Sequence, residues 1–223
     1  MISLSSIGVL AGPVLLPVAI IMAASKRLRF AVAVRVVLFF SAVCLAFIPI
    51  NGLPVVEYIR AFFGDLSITT LFLLFTSSIS TLAGRDFYKS QNLFLFMVIV
   101  SAVGLFLYPF SLGLTYFDSY ALGYNSKVFL AVLFLATLTA WYFNIYLVVI
   151  IIVLGISAFL LGVYESRNLW DYLIDPLLTL YAFFWLLICI LKRIVGRSRY
   201  AAEKTSKSHF KKISLWEWLS SRE

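Results

Sequence analysis

Apolar segments of membrane-crossing length recur along most of this chain, and its basic residues collect in every second gap between them. In hydrocarbon the backbone has to satisfy its own N–H and C=O groups, which leaves only helices or a closed barrel. Segments of about 20 residues suit a helix, because at about 1.5 Å of rise per residue they match a hydrocarbon core of about 30 Å. The segments that read as spans are Ile7–Ala24, Ala31–Ile50, Leu66–Ala83, Leu93–Leu112, Val128–Trp141, Ile145–Val163 and Tyr172–Leu191. Lipid is the natural solvent: 63% of the residues are hydrophobic and 13% charged, with mean hydropathy +1.03. A water-soluble domain keeps about a quarter of its residues charged. The first segment is expected to be a span and not a cleaved signal, because Lys26, Arg27 and Arg29 follow it where a small-residue cleavage site would stand.

The nearly unbroken run from Val128 to Val163 would be far too long for one crossing. Trp141, Tyr142, Phe143 and Asn144 interrupt it with interface-seeking aromatics and a turn former, which predicts two helices. Seven crossings with the N-terminus outside then place Lys26, Arg27, Arg29, Arg35, Arg85, Lys89 and nine tail residues from Lys192 onward on the cytoplasmic side. Those are fifteen of the 18 Lys and Arg residues. Arg60, Lys127 and Arg167 remain outside beside Glu57, Asp65, Asp118, Glu165, Asp171 and Asp175, as the positive-inside rule requires. The expected architecture is an all-α polytopic bundle of about seven transmembrane spans, with the C-terminus cytoplasmic. Residues 1–191 form the membrane domain, with a short interfacial helix near 54–63, and residues 192–223 form a basic cytoplasmic tail.

Between Pro54 and Gly64, the residues Val55, Val56, Tyr58, Ile59, Phe62 and Phe63 share one helical face while Glu57 and Arg60 lie opposite. That pattern predicts a helix lying along the interface, with Glu57 and Arg60 close enough to pair. Asp65 is expected to cap the third span, or to join Ser67 and Thr70 in a polar cluster at the headgroup level. In the next outer loop Tyr116, Tyr120 and Tyr124 recur at spacing four beside Asp118, either as an ordinary aromatic belt or as a platform for sugar faces. Asp175-Pro176 reads as a helix start. Asp65, Ser67, Asp118, Tyr120, Asp171 and Asp175 therefore make up the candidate outer-face polar cluster. Were Glu165, Asp171 and Asp175 to converge on Asp65 or Asp118, a carboxylate set without histidine would suit a hard divalent cation such as Mg²⁺.

On the basic side Arg35, Lys192 and Arg193 are the candidate contacts to anionic lipid headgroups, which account for the net charge of +8 better than nucleic acid does. Gly12-Pro13 predicts a kink in the first span. Cys44 and Cys189 read as apolar fillers and His209 as an isolated residue of a solvated tail. Charge is nearly missing from the span interiors, which argues against ion-coupled transport. No constellation here supports hydrolytic catalysis, so no catalytic residue, cofactor or resident metal is expected.

The stretch Tyr58-Ile59-Arg60-Ala61-Phe62-Phe63-Gly64-Asp65-Leu66-Ser67 resembles the start of an early membrane helix in the lipoteichoic-acid-synthase-like phosphoglycerol transferases. The resemblance covers about ten residues and implies a similar lipid-facing membrane module. The large extracellular catalytic domain of that family, with its metal-bound nucleophile, has no counterpart here, so no catalytic role carries over. The expectation is a non-enzymatic multi-pass protein of a prokaryotic cytoplasmic membrane, an accessory or scaffold subunit in envelope assembly with membrane lipids and an envelope-assembly protein as partners. The alternatives are a lipid-linked transferase or flippase working at the outer face, and a small-solute transporter.

Overall fold

The computed structural model describes residues 4–114, 116–124 and 126–194. The chain is all-helical apart from one two-residue hairpin. Its helices are α1 (Leu4–Arg27), α2 (Val32–Ala46), α3 (Val55–Phe63), α4 (Ile68–Ala83), α5 (Ser90–Ser111), α6 (Lys127–Tyr142), α7 (Tyr146–Leu160), the single turn α8 (Trp170–Leu173) and α9 (Pro176–Ile194). Among the described residues, α5, α9 and the Gly8–Arg27 part of α1 are long and apolar enough to cross a membrane. The helices α2, α4, α6 and α7 are apolar but hold only 15 or 16 residues. At about 1.5 Å per residue they are 22–24 Å long, short of a full hydrocarbon core.

Local chemistry sets most of the boundaries. Asn144 adopts a left-handed conformation (φ 58°) between α6 and α7, where the aromatic cluster predicts a turn. The helix α1 runs unbroken through Pro13 and Pro17. The expected second span ending at Ile50 is corrected, because α2 stops at Ala46 and the chain enters a hairpin, β1 (Pro49–Ile50) against β2 (Leu53–Pro54). The Asn51-Gly52 turn, with both φ values positive, is the sequence signal for such a hairpin. It leads into the expected interfacial helix, α3. Val56 is buried, whereas Phe62 is 83% exposed, so one flank of the apolar face packs on α1 and α2 and the other faces outward.

The chain divides after Ala182 into two compact units. In the first unit α1 packs along α2 and α4, with Val18, Met22 and Ala42 at the centre of an apolar core that Leu38, Phe39 and Leu82 close. The helices α6 and α7 form a hairpin, and α7 packs on α4 and α5. Away from these seams the helices present apolar side chains to their surroundings. Val128, Phe134, Leu135 and Leu138 of α6 are all more than half exposed, which suits lipid as the solvent. In the second unit the ring of Phe183 meets that of Phe184 edge-on at 5.9 Å, and Lys192 and Arg193 are exposed. The remainder of the basic tail, including His209, lies outside the described residues.

The turns of the first unit meet in two sets. Lys26 at the end of α1 pairs with Asp86 after α4 at 3.1 Å, and Arg35 at the start of α2 donates from Nη1 to the Thr81 carbonyl near the end of α4 at 3.0 Å. At the opposite ends of the helices the α7–α9 connection meets the start of α4 and the α5–α6 loop. Every such contact joins loops that an alternating up-and-down path brings to the same end.

Candidate functional site

The six residues expected to form one outer-face cluster fall into separate structural roles. Among its acids Asp175 is the most buried, at 5% exposed. Its Oδ1 accepts the Leu178 N–H of α9 at 2.8 Å, the helix start predicted by Asp175-Pro176. Its Oδ2 accepts the Ser67 N–H at 3.0 Å, the Ser67 hydroxyl at 2.6 Å and the Thr70 hydroxyl. One carboxylate thus caps its own helix and clasps the N-terminus of α4, with the positive ends of two helix dipoles facing its charge. Beside it the Thr69 hydroxyl donates to the Leu173 carbonyl.

Asp65 does not cap α4, contrary to expectation. Ser67 does, its Oγ accepting the Thr70 N–H at 3.2 Å. Asp65 is drawn back by Arg60, which donates from Nε at 3.0 Å and also faces Glu57 at 4.0 Å. The hydrogen bond to Asp65 raises the Arg60 pKa further.

A second polar group surrounds Asp171. Its two oxygens accept the Tyr120 hydroxyl at 2.9 Å, and Oδ2 also accepts the Ser166 hydroxyl. Burial first, and then the bond to Asp171, pushes the Tyr120 phenol well above its ordinary value, so it remains a neutral donor. Asp118 turns away and accepts the Tyr120 N–H at 2.9 Å in a local turn. Tyr116, Tyr120 and Tyr124 do not share one helix. Only Tyr120–Gly123 is helical, Tyr120 meets Tyr124 edge-on at 5.7 Å, and Tyr116 is fully exposed.

Asn168 and Trp170, which the sequence pattern did not single out, lock these loops together. The Asn168 amide donates to the Tyr120 carbonyl at 2.9 Å, its Oδ1 accepts the Trp170 N–H at 3.0 Å, and the Trp170 indole donates to the Ser119 carbonyl at 3.1 Å. A Cβ on Gly123 would collide with Asn168 Oδ1, so glycine is required by close approach. Tyr172 is completely buried, and Tyr164 donates to the Leu66 carbonyl at 2.6 Å. Burial raises both phenol pKa values. The usable signal for this lock was the density of Asn, Ser and aromatic residues in 164–172, but the partners lie about 50 residues away.

Among the described residues no group of three or more His, Cys, Asp or Glu side chains converges to hold a metal ion. A cavity lies elsewhere. It is a groove of about 630 Å³ lined by α1, α4, α5 and α9, including Ala19, Ala23, Leu73, Ser77, Met97 and Tyr181. It runs from Thr70 near the Asp175 clasp down to Ser80, Asp86 and Phe87 at the basic end. Three of its hydroxyls are already engaged: Thr70 donates to Asp175, Thr76 to the Phe72 carbonyl, and Ser80 to the Arg85 carbonyl at 2.7 Å. Arg35 lies outside its lining and is turned onto the Thr81 carbonyl.

Fold and site together define the class as an all-helical protein with helices able to cross a membrane. Compared with protein-family models, curated proteins and solved structures, the chain matches none.

Replacing Asp175 tests the clasp. Asp175→Ala leaves the donors of Ser67, Thr70 and Leu178 facing an apolar void and is expected to cost about 3 kcal/mol. Asp175→Asn keeps one acceptor and is expected to cost roughly half as much. Thermal unfolding of the detergent-solubilised protein measures both, and Asp118→Asn should change it by less than about 0.5 kcal/mol.

Proposed function

We propose that this protein is a non-catalytic multi-pass scaffold of a prokaryotic cytoplasmic membrane, serving envelope assembly as an accessory subunit. The carrying observation is how the outer carboxylates are used. Asp175 and Asp118 cap backbone N–H groups, Asp65 pairs with Arg60, and Asp171 anchors Tyr120 and Ser166. A transferase or flippase working through these acids needs them grouped around a substrate cavity, whereas here each is occupied as a brace of the outer cap. Transport has less support still, because the groove walls are mainly apolar and the hydroxyls of Thr70, Thr76 and Ser80 are already bonded.

The chain crosses the membrane seven times in this reading, through α1, α2, α4, α5, α6, α7 and α9. The two sets of loop contacts support that alternation, and the positive-inside rule puts Lys26, Arg85 and Lys89 in the cytoplasm. The four short helices are accommodated by local thinning of the bilayer and by uncharged ends such as Phe143-Asn144-Ile145. The helix α3 rests on the outer leaflet, in keeping with the resemblance of Tyr58–Ser67 to a phosphoglycerol-transferase membrane module. The hairpin and the exposed Phe62 offer an apolar outer surface to an envelope-assembly partner.

Orientation is checked with single cysteines in a chain whose Cys44 and Cys189 are replaced. A cysteine at Phe62 or Tyr116 should react with a membrane-impermeant maleimide in intact cells, and one at Arg29 or Lys89 only after permeabilisation. The opposite pattern refutes the topology.

The scaffold reading is tested by Asp65→Asn combined with Asp118→Asn. In a strain lacking the gene this double variant should restore envelope integrity as fully as the wild type, since an exposed ion pair contributes at most about 1 kcal/mol. Purified protein in vesicles should leave transbilayer movement of a fluorescent phospholipid at the protein-free rate. Lost complementation or accelerated movement contradicts the proposal.

A further inference from the structure

The groove between α1, α4, α5 and α9 has a size and polarity that the scaffold reading does not use. We infer that it is a binding site for one acyl chain of an anionic phospholipid of the cytoplasmic leaflet, with the headgroup held by Arg85 and Lys89. The inference rests on the orientation proposed above.

Three features converge on this ligand. The first is length. Between Thr70 and Ser80 the groove follows ten residues of α4, about 15 Å at helical rise, which is the depth of one leaflet. The second is the wall. At about 630 Å³ the cavity lies in the range of ligand sites, and Ala23 and Ser77 are small, exposed residues that leave its side open to lipid.

The third is charge. At the cytoplasmic end the Arg85 guanidinium sits 5.6 Å from the centre of the Phe87 ring, and Phe87 is itself part of the lining. Lys89 precedes Ser90, another lining residue, and Lys26 stands beside Asp86 at 3.1 Å. Asp86 is the one acid in the lining, and its charge is already matched by Lys26, which holds its carboxyl below the usual range. Arg85 and Lys89 are left to face a phosphate. At the opposite end the polar groups of Thr70 and Ser67 are occupied by Asp175, so an anion has its place only at the basic mouth. A cation near a membrane surface attracts anionic lipid by about 1 kcal/mol, roughly fivefold in affinity.

The test uses the full chain in phosphatidylcholine vesicles doped with phosphatidylglycerol carrying a diazirine near the end of one acyl chain. Photolysis should label α4 and α5 around Leu73 and Met97 preferentially over the lipid-exposed Leu135 of α6. Ser77→Phe or Ala23→Phe, which fill the groove from exposed positions, should reduce that labelling at least fivefold without changing thermal unfolding. Arg85→Gln should lower the preference for the phosphatidylglycerol probe over a matched phosphatidylcholine probe roughly fivefold, while total labelling of Leu135 stays constant. Even labelling of all lipid-facing helices, equal labelling by the two probes in the wild type, or an unchanged groove signal in both filled variants would overturn the assignment. These readouts do not depend on complementation or lipid movement, so failure here is distinguishable from failure of the scaffold reading, and the maleimide pattern reports the orientation separately.

Discussion

A single buried carboxylate, Asp175, holds the N-termini of two helices that lie more than 100 residues apart in the chain. Its importance follows from the solvent. Between helices in lipid there is little hydrophobic drive to associate, because the acyl chains are as apolar as the leucines, so close packing and hydrogen bonds decide which helices meet. A charged group in such a place is tolerated only when it is well bonded. Asp175 satisfies that condition with donors from Ser67, Thr70 and Leu178, and the same bonds satisfy orphan amides at the starts of α4 and α9.

The outer cap extends the same solution. Tyr120, Asn168, Trp170 and Tyr172 each bring one polar atom to a partner on another segment, or within the 164–175 loop, while their apolar bodies exclude water. The acids that looked available for chemistry are consumed in this construction. The first unit is braced at one end by the Asp175 clasp and at the other by Lys26–Asp86 and Arg35–Thr81. Between the braces lies the groove lined by α1, α4, α5 and α9.

What could be read from the sequence was local. The apolar runs located the helices, Asn144 marked the α6–α7 turn, Asp175-Pro176 marked the start of α9, and the one-faced pattern of 55–63 marked α3. Where two residues competed for one role, the pattern could not decide. Asp65 and Ser67 are both good caps, and the geometry of Arg60, one turn back, removes Asp65 from the competition. The Asn51-Gly52 hairpin was readable in principle, but it was hidden by the hydrophobic continuation from α2 through Ile48 and Ile50. The splitting of the six-residue cluster, the Asn168 lock and the groove all depend on which helices touch. Side chains separated by 48 to 108 residues leave no periodicity that reports such pairing.

The most direct test of the clasp is amide hydrogen exchange on the full chain in detergent micelles. If Asp175 binds both helix ends, the N–H groups of Ser67 and Leu178 should exchange as slowly as mid-helix amides of α4, although first-turn amides ordinarily exchange fast. Exchange of both at the rate of an exposed loop amide such as that of Gly113 would contradict it.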